Sequence, residues 1–420
     1  MGDSVIYYQR ALEALRNGVP NRDAVRVLGS NQTEVEKLFM EKLGDVENAA
    51  QQGKQVPGVL VAGGFGTGKS HLLEYLEHIA VSNNFVCSRI VISKETPLYD
   101  VGKMFQAAID GAVVSGIRGQ IVSELALKLR PNTEPYTAFY QWANSPRNGV
   151  SLLFPATLLL HERLNNDPEL VDEITGFWSG DKLSISRVRQ GLNQIGCGNL
   201  YTLRTVRLKD LALERFVFVS QLILAAGYSG WVLLIDEVEL IGRYSLLQRG
   251  KSYAELARWM GEVRSEPVPG VVAVAAITDD FGLAVLQEKS DRDTIGPRFR
   301  SKGSDEYTNL AGKAETGMRL IERSVIPLTP PDSSLLERTY HQLKEIHGKA
   351  YLWEPPEIPS QAVSVTRRMR SYVRRWVNEW DLKRLYPGSE IVTEDEQELR
   401  PTYEADEDLE VASVPSDEEL

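Results

Sequence analysis

The chain has 420 residues, a length that suits about two to three domains. Its 42% hydrophobic and 25% charged residues are typical of a soluble globular protein, which excludes wholesale disorder. The longest apolar run, Val271–Ile277, is far too short for a membrane span of about 20 residues, and the N-terminus lacks a signal-peptide pattern. Two cysteines, Cys87 and Cys197, exclude a disulfide framework and a four-cysteine zinc site. We therefore expect a cytoplasmic protein without a structural metal.

The net charge of −11 is carried by the C-terminus. Residues 389–420 contain 13 acidic residues and one arginine, a net charge of −12, so the 46 basic and 45 acidic residues before them leave a net charge of +1. Because this tail has few apolar residues and repels itself, we expect it to be disordered. The balanced charge of the body removes an argument against nucleic-acid binding without supplying one in favour.

In the first part of the chain, helical and strand patterns alternate. Apolar spacing predicts a helix over residues 4–17, and Thr33 with Glu36 forms a capping-box pattern that opens a second helix. The patterns that follow predict a strand at Val59–Ala62, a glycine-rich turn, a helix over 69–82, a strand over 85–93 and a helix over about 101–118.

Helical patterns and no clear strand follow as far as Gly230, which predicts a helical insertion over about 120–228. Beyond it, the sequence predicts buried strands at Trp231–Ile235 and 271–278, a helix over 252–265 between them, a short strand at Ser324–Leu328 and an all-helical end over 332–388. Strands that alternate with helices indicate an α/β fold with a central parallel sheet covered on both faces.

A nucleotide-binding motif lies between the first predicted strand and the helix over 69–82. It matches G-x-x-x-x-G-K-[ST] and consists of Gly63, Gly64, Phe65, Gly66, Thr67, Gly68, Lys69 and Ser70. Glycines let the backbone turn its N–H groups toward a phosphate, and the helix N-terminus adds partial positive charge. Lys69 then reaches the β- and γ-phosphates, and the Ser70 hydroxyl is suited to coordinate Mg²⁺. The alternative is an incidental glycine turn, but the flanking strand and helix favour nucleotide binding.

Two acidic residues, Asp236 and Glu237, follow the predicted strand Trp231–Ile235. Their position places both carboxylates at the carboxyl edge of the sheet. There Asp236 is suited to bind Mg²⁺, and Glu237 is suited to polarise the attacking water. A solvated acidic pair is the alternative. The adjacent glutamate favours hydrolysis over phosphotransfer, and no N-K-x-D guanine-recognition motif occurs, so we expect ATP with Mg²⁺.

Thr278 ends the strand predicted over 271–278, which could lie between the strand before the glycine-rich motif and the strand before Asp236. There its hydroxyl would hold the lytic water near the γ-phosphate, or would simply cap the strand. Roughly 20 residues further along the chain, a predicted turn carries Arg298 and Arg300. An arginine at a neighbouring subunit's γ-phosphate neutralises transition-state charge, and the alternative is a pair of ordinary surface arginines.

An amphipathic helix predicted over 365–376 carries five arginines beside an apolar stripe: Arg367, Arg368, Arg370, Arg374 and Arg375. They reach the nucleotide from a lid, contact nucleic-acid phosphates, or are solvated, and the sequence leaves these roles open. The five histidines show no metal-ligand spacing. His71 follows the glycine-rich motif and is grouped with the nucleotide-binding residues, with a packing or surface role as its alternative.

Together these motifs resemble an AAA+ ATPase of the origin-recognition and initiator type. Four stretches, over residues 11–32, 61–80, 85–100 and 233–260, further resemble the P-loop ATP-binding proteins of BREX phage-defence systems, the BrxC/BrxD family. With its length of about 420 residues, the chain is most similar to the BrxD branch, over about residues 8–388.

The resemblance implies a role for each motif. Thr278 falls at the first sensor, Arg298 or Arg300 at the arginine finger, and Arg367 or Arg368 at the second sensor. From these patterns and the resemblance together we expect an N-terminal helical segment over 1–56, an AAA+ domain over 57–329, a helical lid over 330–388 and an acidic tail over 389–420. Two features depart from the initiator pattern. A long segment, 94–230, precedes the Asp-Glu strand, and we expect no winged-helix domain after 388.

We expect an ATP-hydrolysing switch that acts in an antiviral defence complex, beside a helicase or another DNA-acting partner. A homo-oligomer or a partner would complete its active site, so the isolated monomer would hydrolyse ATP slowly. Two other functions stay open. One is a stand-alone DNA-loading or DNA-translocating ATPase that uses Arg370, Arg374 and Arg375 as a phosphate track. The other is a scaffold NTPase that binds ATP with little turnover.

Overall fold

The structure is a computed structural model that describes residues 2–17, 25, 28–114, 117–330, 332–358, 369–387 and 403–404. In the first part of the chain, helices alternate with strands. These elements are α1 (Gly2–Asn17), α2 (Thr33–Gln51), β1 (Val59–Ala62), α3 (Lys69–Ser82), β2 (Val86–Val91), α4 (Val101–Asp110), β3 (Ala112–Val114) and β4 (Ile117–Arg118).

Helices alone fill the next part of the chain. They are α5 (Ile121–Lys128), α6 (Glu134–Ala143), α7 (Leu153–Arg163), α8 (Pro168–Ser179), α9 (Ile185–Gln194) and α10 (Leu208–Ala225). Local chemistry sets several of their starts, because the side chains of Asp167 and Ser184 accept hydrogen bonds from backbone N–H groups in the first turns of α8 and α9. Pro168 stands at the first helical position, where no hydrogen-bonding N–H is needed.

The remaining described elements complete the sheet and add helices. They are β5 (Trp231–Asp236), a 3₁₀ turn (Val238–Arg243), α11 (Leu246–Trp259), β6 (Val271–Ile277), a π-helical turn (Gly282–Gln287), α12 (Asp291–Arg300), α13 (Asp305–Arg323), β7 (Ile326–Pro327), α14 (Ser333–Tyr351) and α15 (Met369–Leu385). A capping box of Ser245 and Gln248 sets the start of α11, several residues before the start that the sequence predicts.

Within the described residues, seven strands form one sheet in the order β4-β3-β2-β5-β6-β1-β7. The strands β2, β5, β6, β1 and β7 are parallel, and β6 pairs with both β1 and β5. Because the carboxyl ends of parallel strands meet at one edge, the segments that follow β1, β5 and β6 lie side by side. The fold class is therefore α/β.

Alternating side chains of the parallel strands bury both faces of the sheet. On one face, Val61, Leu234 and Val274 pack in a core that includes Phe39 of α2 and Leu72 of α3. On the other face, Leu233 and Ala275 pack in a larger core that also contains residues of the inserted helices. The insertion therefore shares the core of the sheet. Continuous burial of β5 and β6 is what a sheet covered on both faces requires.

The prediction of one long helix over about 101–118 is wrong, and the central parallel sheet carries an antiparallel edge beside β2. Helix α4 ends at Asp110, and β3 and β4 add to β2 as antiparallel strands, so the sheet is mixed. Gly111 passes so close to β2 that a Cβ atom would lie 2.6 Å from the Arg89 carbonyl oxygen. The β-branched residues Val113 and Val114 then suit a strand, and their pairing covers the edge of β2.

The predicted capping box at Thr33 is also wrong. The N-cap of α2 is Gln32, which makes no side-chain cap, and the Glu36 carboxylate accepts a hydrogen bond from the Ser30 hydroxyl instead. The Gln32 amide group is occupied by a tertiary contact, because its Nε2 donates to the Thr329 carbonyl (3.1 Å) and its Oε1 accepts from the Thr329 N–H (2.9 Å). This contact positions the start of α2 against the segment that follows β7.

The N-terminal helix packs with the C-terminal helices. Leu12 of α1, Leu343 of α14 and Trp380 of α15 share one small buried core. The guanidinium of Arg16 lies 2.6 Å from the Asp381 carboxylate across the same contact. The helix α1 thus forms one helical group with α14 and α15. Among the described residues, none of the helices combines the length and the apolar character that a membrane crossing needs.

Candidate functional site

The glycine-rich turn joins β1 to α3 at the carboxyl edge of the sheet. Gly66 and Gly68 have φ angles of 81° and 106°, in the left-handed region that glycine adopts without a Cβ clash. The Thr67 hydroxyl donates to the Gly64 carbonyl at 2.8 Å and closes the turn. Helix α3 then begins at Lys69, so its N-terminal N–H groups and partial positive charge lie at the turn.

Lys69 is held in a buried position by two oxygen atoms. Its Nζ donates to the Gly63 carbonyl at 2.9 Å and lies 3.5 Å from Oε1 of Glu239. Burial raises the pKa of the Glu239 carboxyl to about 7, although the Lys69 ammonium opposes that shift. The second carboxylate oxygen of Glu239, Oε2, is buried and has no hydrogen-bond partner among the residues that the structure describes.

Sequence reasoning missed Glu239. The available signal was its position three residues after Asp236, which places it on the 3₁₀ turn directly behind the strand end. A buried carboxylate with an unsatisfied oxygen is costly unless a cation or a ligand compensates for it. Glu239 therefore lies at the glycine-rich turn, in contact with Lys69.

Asp236 ends β5 and is 2% exposed. Its Oδ2 accepts a hydrogen bond from Nη2 of Arg89 at 2.9 Å, and its Oδ1 accepts one from the Glu237 N–H at 3.0 Å. Arg89 also binds the Glu74 carboxylate of α3 at 2.7 Å, so one guanidinium links the strand end to the glycine-turn helix. Sequence reasoning missed Arg89, whose signal was the single charged residue in the mostly apolar strand β2.

Glu237 occupies a strained backbone position. Its φ of 59° and ψ of 33° lie in the left-handed region, which non-glycine residues seldom adopt and which clusters at functional sites. Burial and the neighbouring Asp236 raise the pKa of its carboxyl, while Lys69 and Arg370 act in the opposite direction. A carboxylate with a raised pKa is better suited to accept a proton from water.

Thr278 follows β6 and lies between the glycine-rich turn and the Asp-Glu pair. It is 3% exposed, and its Oγ1 lies 2.6 Å from the phenol oxygen of Tyr403. The phenol also donates to Oδ1 of Asp280 at 2.8 Å. Sequence reasoning placed Tyr403 in a disordered tail, whereas Tyr403 and Glu404 belong to the described residues; the rest of the tail, including all of 405–420, lies outside them.

The structure separates the two candidate finger arginines. Both lie on α12, a helix where the sequence predicted a turn, and α12 begins at Asp291, whose buried carboxylate binds Arg249 and Tyr253. Arg300 makes two hydrogen bonds to the Glu315 carboxylate, at 2.7 and 2.8 Å. Arg298 is exposed, and within the described part of the chain no ion pair holds it.

The two candidate second-sensor arginines, Arg367 and Arg368, lie outside the described residues. A third arginine of the same predicted helix, Arg370, lies at the start of α15 and lines the cleft together with Glu237. The sequence had left Arg370 among several open roles.

The cleft encloses about 260 Å³ between the glycine-rich turn, the segment before α2 and the helices α14 and α15. Its polar lining includes Thr67, Lys69 and Ser70, and its apolar lining includes Leu15, Leu28, Leu335, Met369 and Val373. His71 anchors the segment before α2, because its Nε2 lies 2.7 Å from the Gly29 carbonyl and burial lowers its pKa, which favours a neutral, donating ring. The cleft therefore offers polar groups that suit phosphates and apolar side chains that suit an aromatic ring.

The oxygen donors at this edge fit Mg²⁺, which prefers hard oxygen ligands and is usually held by one or two carboxylates together with substrate phosphates. Ser70 lies in the first turn of α3 and lines the cleft, and Asp236 ends β5. Each oxygen of Asp236 makes one hydrogen bond and keeps a free lone pair for a cation.

A comparison with family models identifies the matching parts of the chain. The model described as BREX system ATP-binding protein BrxC/D matches residues 8–112 and 207–289. These two segments contain the glycine-rich turn, Arg89, Asp236, Glu237, Glu239 and Thr278, and they flank most of the helical insertion. Searches of curated proteins and of solved structures found no match.

Proposed function

The chain belongs to the BREX system ATP-binding protein BrxC/D family, and on that basis we propose that it is an ATP-hydrolysing AAA+ switch of an antiviral defence complex. The observation that carries the proposal is the order of the parallel strands. Because β6 lies between β1 and β5, the segments bearing Lys69, Asp236 and Thr278 lie side by side at one edge of the sheet.

In this proposal the P-loop, residues 63–70, binds the phosphates through its backbone N–H groups, and Lys69 leaves Glu239 to contact the β- and γ-phosphates. Ser70 and Asp236 would hold Mg²⁺, which would neutralise charge on the phosphates. Glu237 accepts a proton from the attacking water, and the Thr278 hydroxyl orients that water. The apolar lining of the cleft receives the adenine ring.

Two features support the AAA+ assignment within the P-loop proteins. The strand order β2-β5-β6-β1-β7 places the Thr278 strand between the P-loop strand and the Asp-Glu strand. The helices α14 and α15 cover the cleft as a lid would, and α1 packs with them. We assign the second-sensor role to Arg370, whose charge already acts on Glu237, with Arg367 and Arg368 as further candidates.

The arginine finger is assigned to Arg298 and is supplied to a neighbouring subunit. Arg298 is exposed on α12, whereas Arg300 is held by Glu315. The fold brings Lys69 and Glu237 of one subunit to the same site, whereas Arg298 is far from both in the sequence. A finger that acts on another subunit is consistent with this separation. The monomer would then hydrolyse ATP slowly until a homo-oligomer or a partner, such as a helicase-type protein, completes the site.

The family match gives no distinction between BrxC and BrxD, and we propose the BrxD branch from the chain length of 420 residues. We also propose a cytoplasmic location and an interaction with DNA through the partner. The position of Arg370 in the nucleotide cleft argues against a DNA track along Arg370, Arg374 and Arg375. The strained backbone of Glu237 beside Asp236 argues against a scaffold that binds ATP with little turnover.

Two matched variants test the proposed function. Lys69→Ala should abolish binding of a fluorescent ATP analogue, because a positive charge that holds the phosphates is removed. Glu237→Gln should bind the analogue like the wild type and release no phosphate. Arg338→Ala, an exposed change on α14, serves as the control. If Lys69→Ala and Glu237→Gln lost binding equally, the two roles would be misassigned.

A further inference from the structure

Tyr403 links the acidic C-terminal tail to the catalytic edge of the sheet. Residues 389–420 carry a net charge of −12 and predict disorder, yet Tyr403 is half-buried beside Thr278. Fifteen residues separate it from Pro387, the last described residue after α15, and an extended chain over that interval spans up to about 55 Å. The tail of the same chain is therefore long enough to reach this position.

The phenol group of Tyr403 forms a short hydrogen-bond chain. It donates its single proton to Asp280, so at the 2.6 Å contact it can only accept the proton of the Thr278 hydroxyl. A hydroxyl group has one proton to donate. The proposed role of Thr278 is to orient water beside the γ-phosphate, and in this arrangement its donor is already in use.

The ring of Tyr403 fits a pocket built by three segments of the sheet edge. It packs edge-on against Phe281, with ring centroids 6.0 Å apart and planes at 89°. Gly242 of the 3₁₀ turn leaves room for the ring, since a Cβ atom there would lie 2.7 Å from Cδ1 of Tyr403. The Lys289 ammonium donates to the Tyr403 carbonyl and, at 2.8 Å, to the Gly242 carbonyl.

These contacts involve the backbone, the ring and the hydroxyl of one tail residue. Burial of the phenol raises its pKa, so the group stays protonated and able to donate to Asp280. Tyr403 thus combines a backbone bond, an aromatic contact and two hydroxyl bonds at one position. The pocket formed by Gly242, Thr278, Asp280, Phe281 and Lys289 is hereafter the tail pocket.

We propose that the tail pocket is a binding site for the chain's own C-terminal tail, and that docked Tyr403 engages Thr278 and slows ATP hydrolysis. The docking stands on the contacts alone, whereas the effect on hydrolysis rests on the proposed function. A partner that captures the acidic tail would withdraw Tyr403 and free Thr278. The tail would then couple assembly with a partner to turnover.

Hydrogen exchange tests the docking without any ATP. In the full-length Tyr403→Ala variant, amides of residues 238–243 and 278–289 should exchange about three- to tenfold faster than in the wild type, as expected for the loss of a few weak contacts. Tyr386→Ala, a change at a tyrosine that is 60% exposed, should leave these amides unchanged. Equal exchange in the Tyr403→Ala variant and the wild type would overturn the docking.

A peptide in trans tests which residue is recognised. A peptide of residues 398–408 added to the Tyr403→Ala protein should restore slow exchange, and the same peptide with Tyr403→Ala should not. Equal effects of both peptides would overturn recognition through the tyrosine. Faster exchange on dilution of the wild type would overturn binding of the chain's own tail and assign the pocket to the tail of a second copy.

Hydrolysis tests the inhibitory effect. Tyr403→Ala should raise the rate of phosphate release about three- to tenfold, and Tyr403→Phe should do the same while keeping slow exchange, because it retains the ring and the backbone bond. An unchanged or lower rate with faster exchange would overturn the inhibition and leave the docking. If no variant hydrolysed ATP, the proposed function would fail, and the exchange result would still decide the docking.

Discussion

The ammonium of Lys69 lies 3.5 Å from the Glu239 carboxylate, and both side chains are almost completely buried, 7% and 8% exposed. The P-loop lysine is therefore paired with a carboxylate of its own chain. ATP binding requires Lys69 to exchange this partner for phosphate oxygens, and the carboxylate that is left behind lies close to the incoming negative charge. Glu239 thus acts against nucleotide binding when it is ionised.

The first prediction concerns stability and pH. Burial raises the pKa of Glu239 to about 7, above its ordinary value, so its proton stabilises the folded state at low pH and this contribution is lost as the pH rises through 7. Glu239→Gln, which stays neutral, should gain stability relative to the wild type between pH 5 and pH 8, by roughly 2–3 kcal/mol. Urea unfolding of both proteins at the two pH values measures this difference. A difference that is the same at both pH values would contradict the prediction.

The second prediction concerns the guanidinium that links α3 to β5. Arg89→Gln leaves the carboxylates of Glu74 and Asp236 buried without their cation, a change that costs about 3–5 kcal/mol at buried ion pairs. Arg187→Gln is the matched control, because Arg187 binds Glu173 at the same 2.7 Å distance but in a more exposed position. The control should lose no more than about 1 kcal/mol. Urea unfolding at pH 7 compares the two variants, and equal losses would show that Arg89 is not a structural link.

The third prediction concerns the finger. Arg298→Ala should lower hydrolysis by about 10³-fold, the lower end of the effect of an arginine finger, while Lys69→Ala has an inactive site and an intact Arg298. A mixture of the two variants should regain activity, since one subunit supplies the site and its neighbour the arginine. Arg300→Ala should stay active, because Arg300 is bound to Glu315. A mixture no more active than the sum of its two components would rule out a finger in trans.

The fourth prediction concerns Arg370. Its charge acts to lower the pKa of Glu237, so Arg370→Ala should raise that pKa and move the acidic limb of the pH–rate profile of hydrolysis to higher pH. The variant should also bind ATP about tenfold more weakly, the effect of one lost charge-assisted hydrogen bond. Arg338→Ala on the neighbouring helix controls for a general loss of positive charge. An unshifted profile with weaker binding would limit Arg370 to phosphate contact.

Local patterns in the sequence predict several elements well. The helix over 69–82 coincides with α3, and the strand predicted at Val271 coincides in its start with β6. These elements are predicted well because they depend on residues that are neighbours in the sequence. This holds for apolar runs bounded by turns and for a motif with a defined backbone geometry. The same local reasoning extended α4 to residue 118, because the close approach of Gly111 to β2 is a contact between distant segments.

The amino-acid sequence by itself determined that the chain carries a P-loop, an acidic pair after a buried strand and a strongly acidic C-terminus, since each is a property of consecutive residues. Only the tertiary structure decided which side chains meet: Glu239 with Lys69 and Arg89 with Asp236 as ion pairs, and Tyr403 with Thr278 through a hydrogen bond. Electrostatic and hydrogen-bond energies depend on distance and burial, and strand order sets both for residues that lie far apart in the chain.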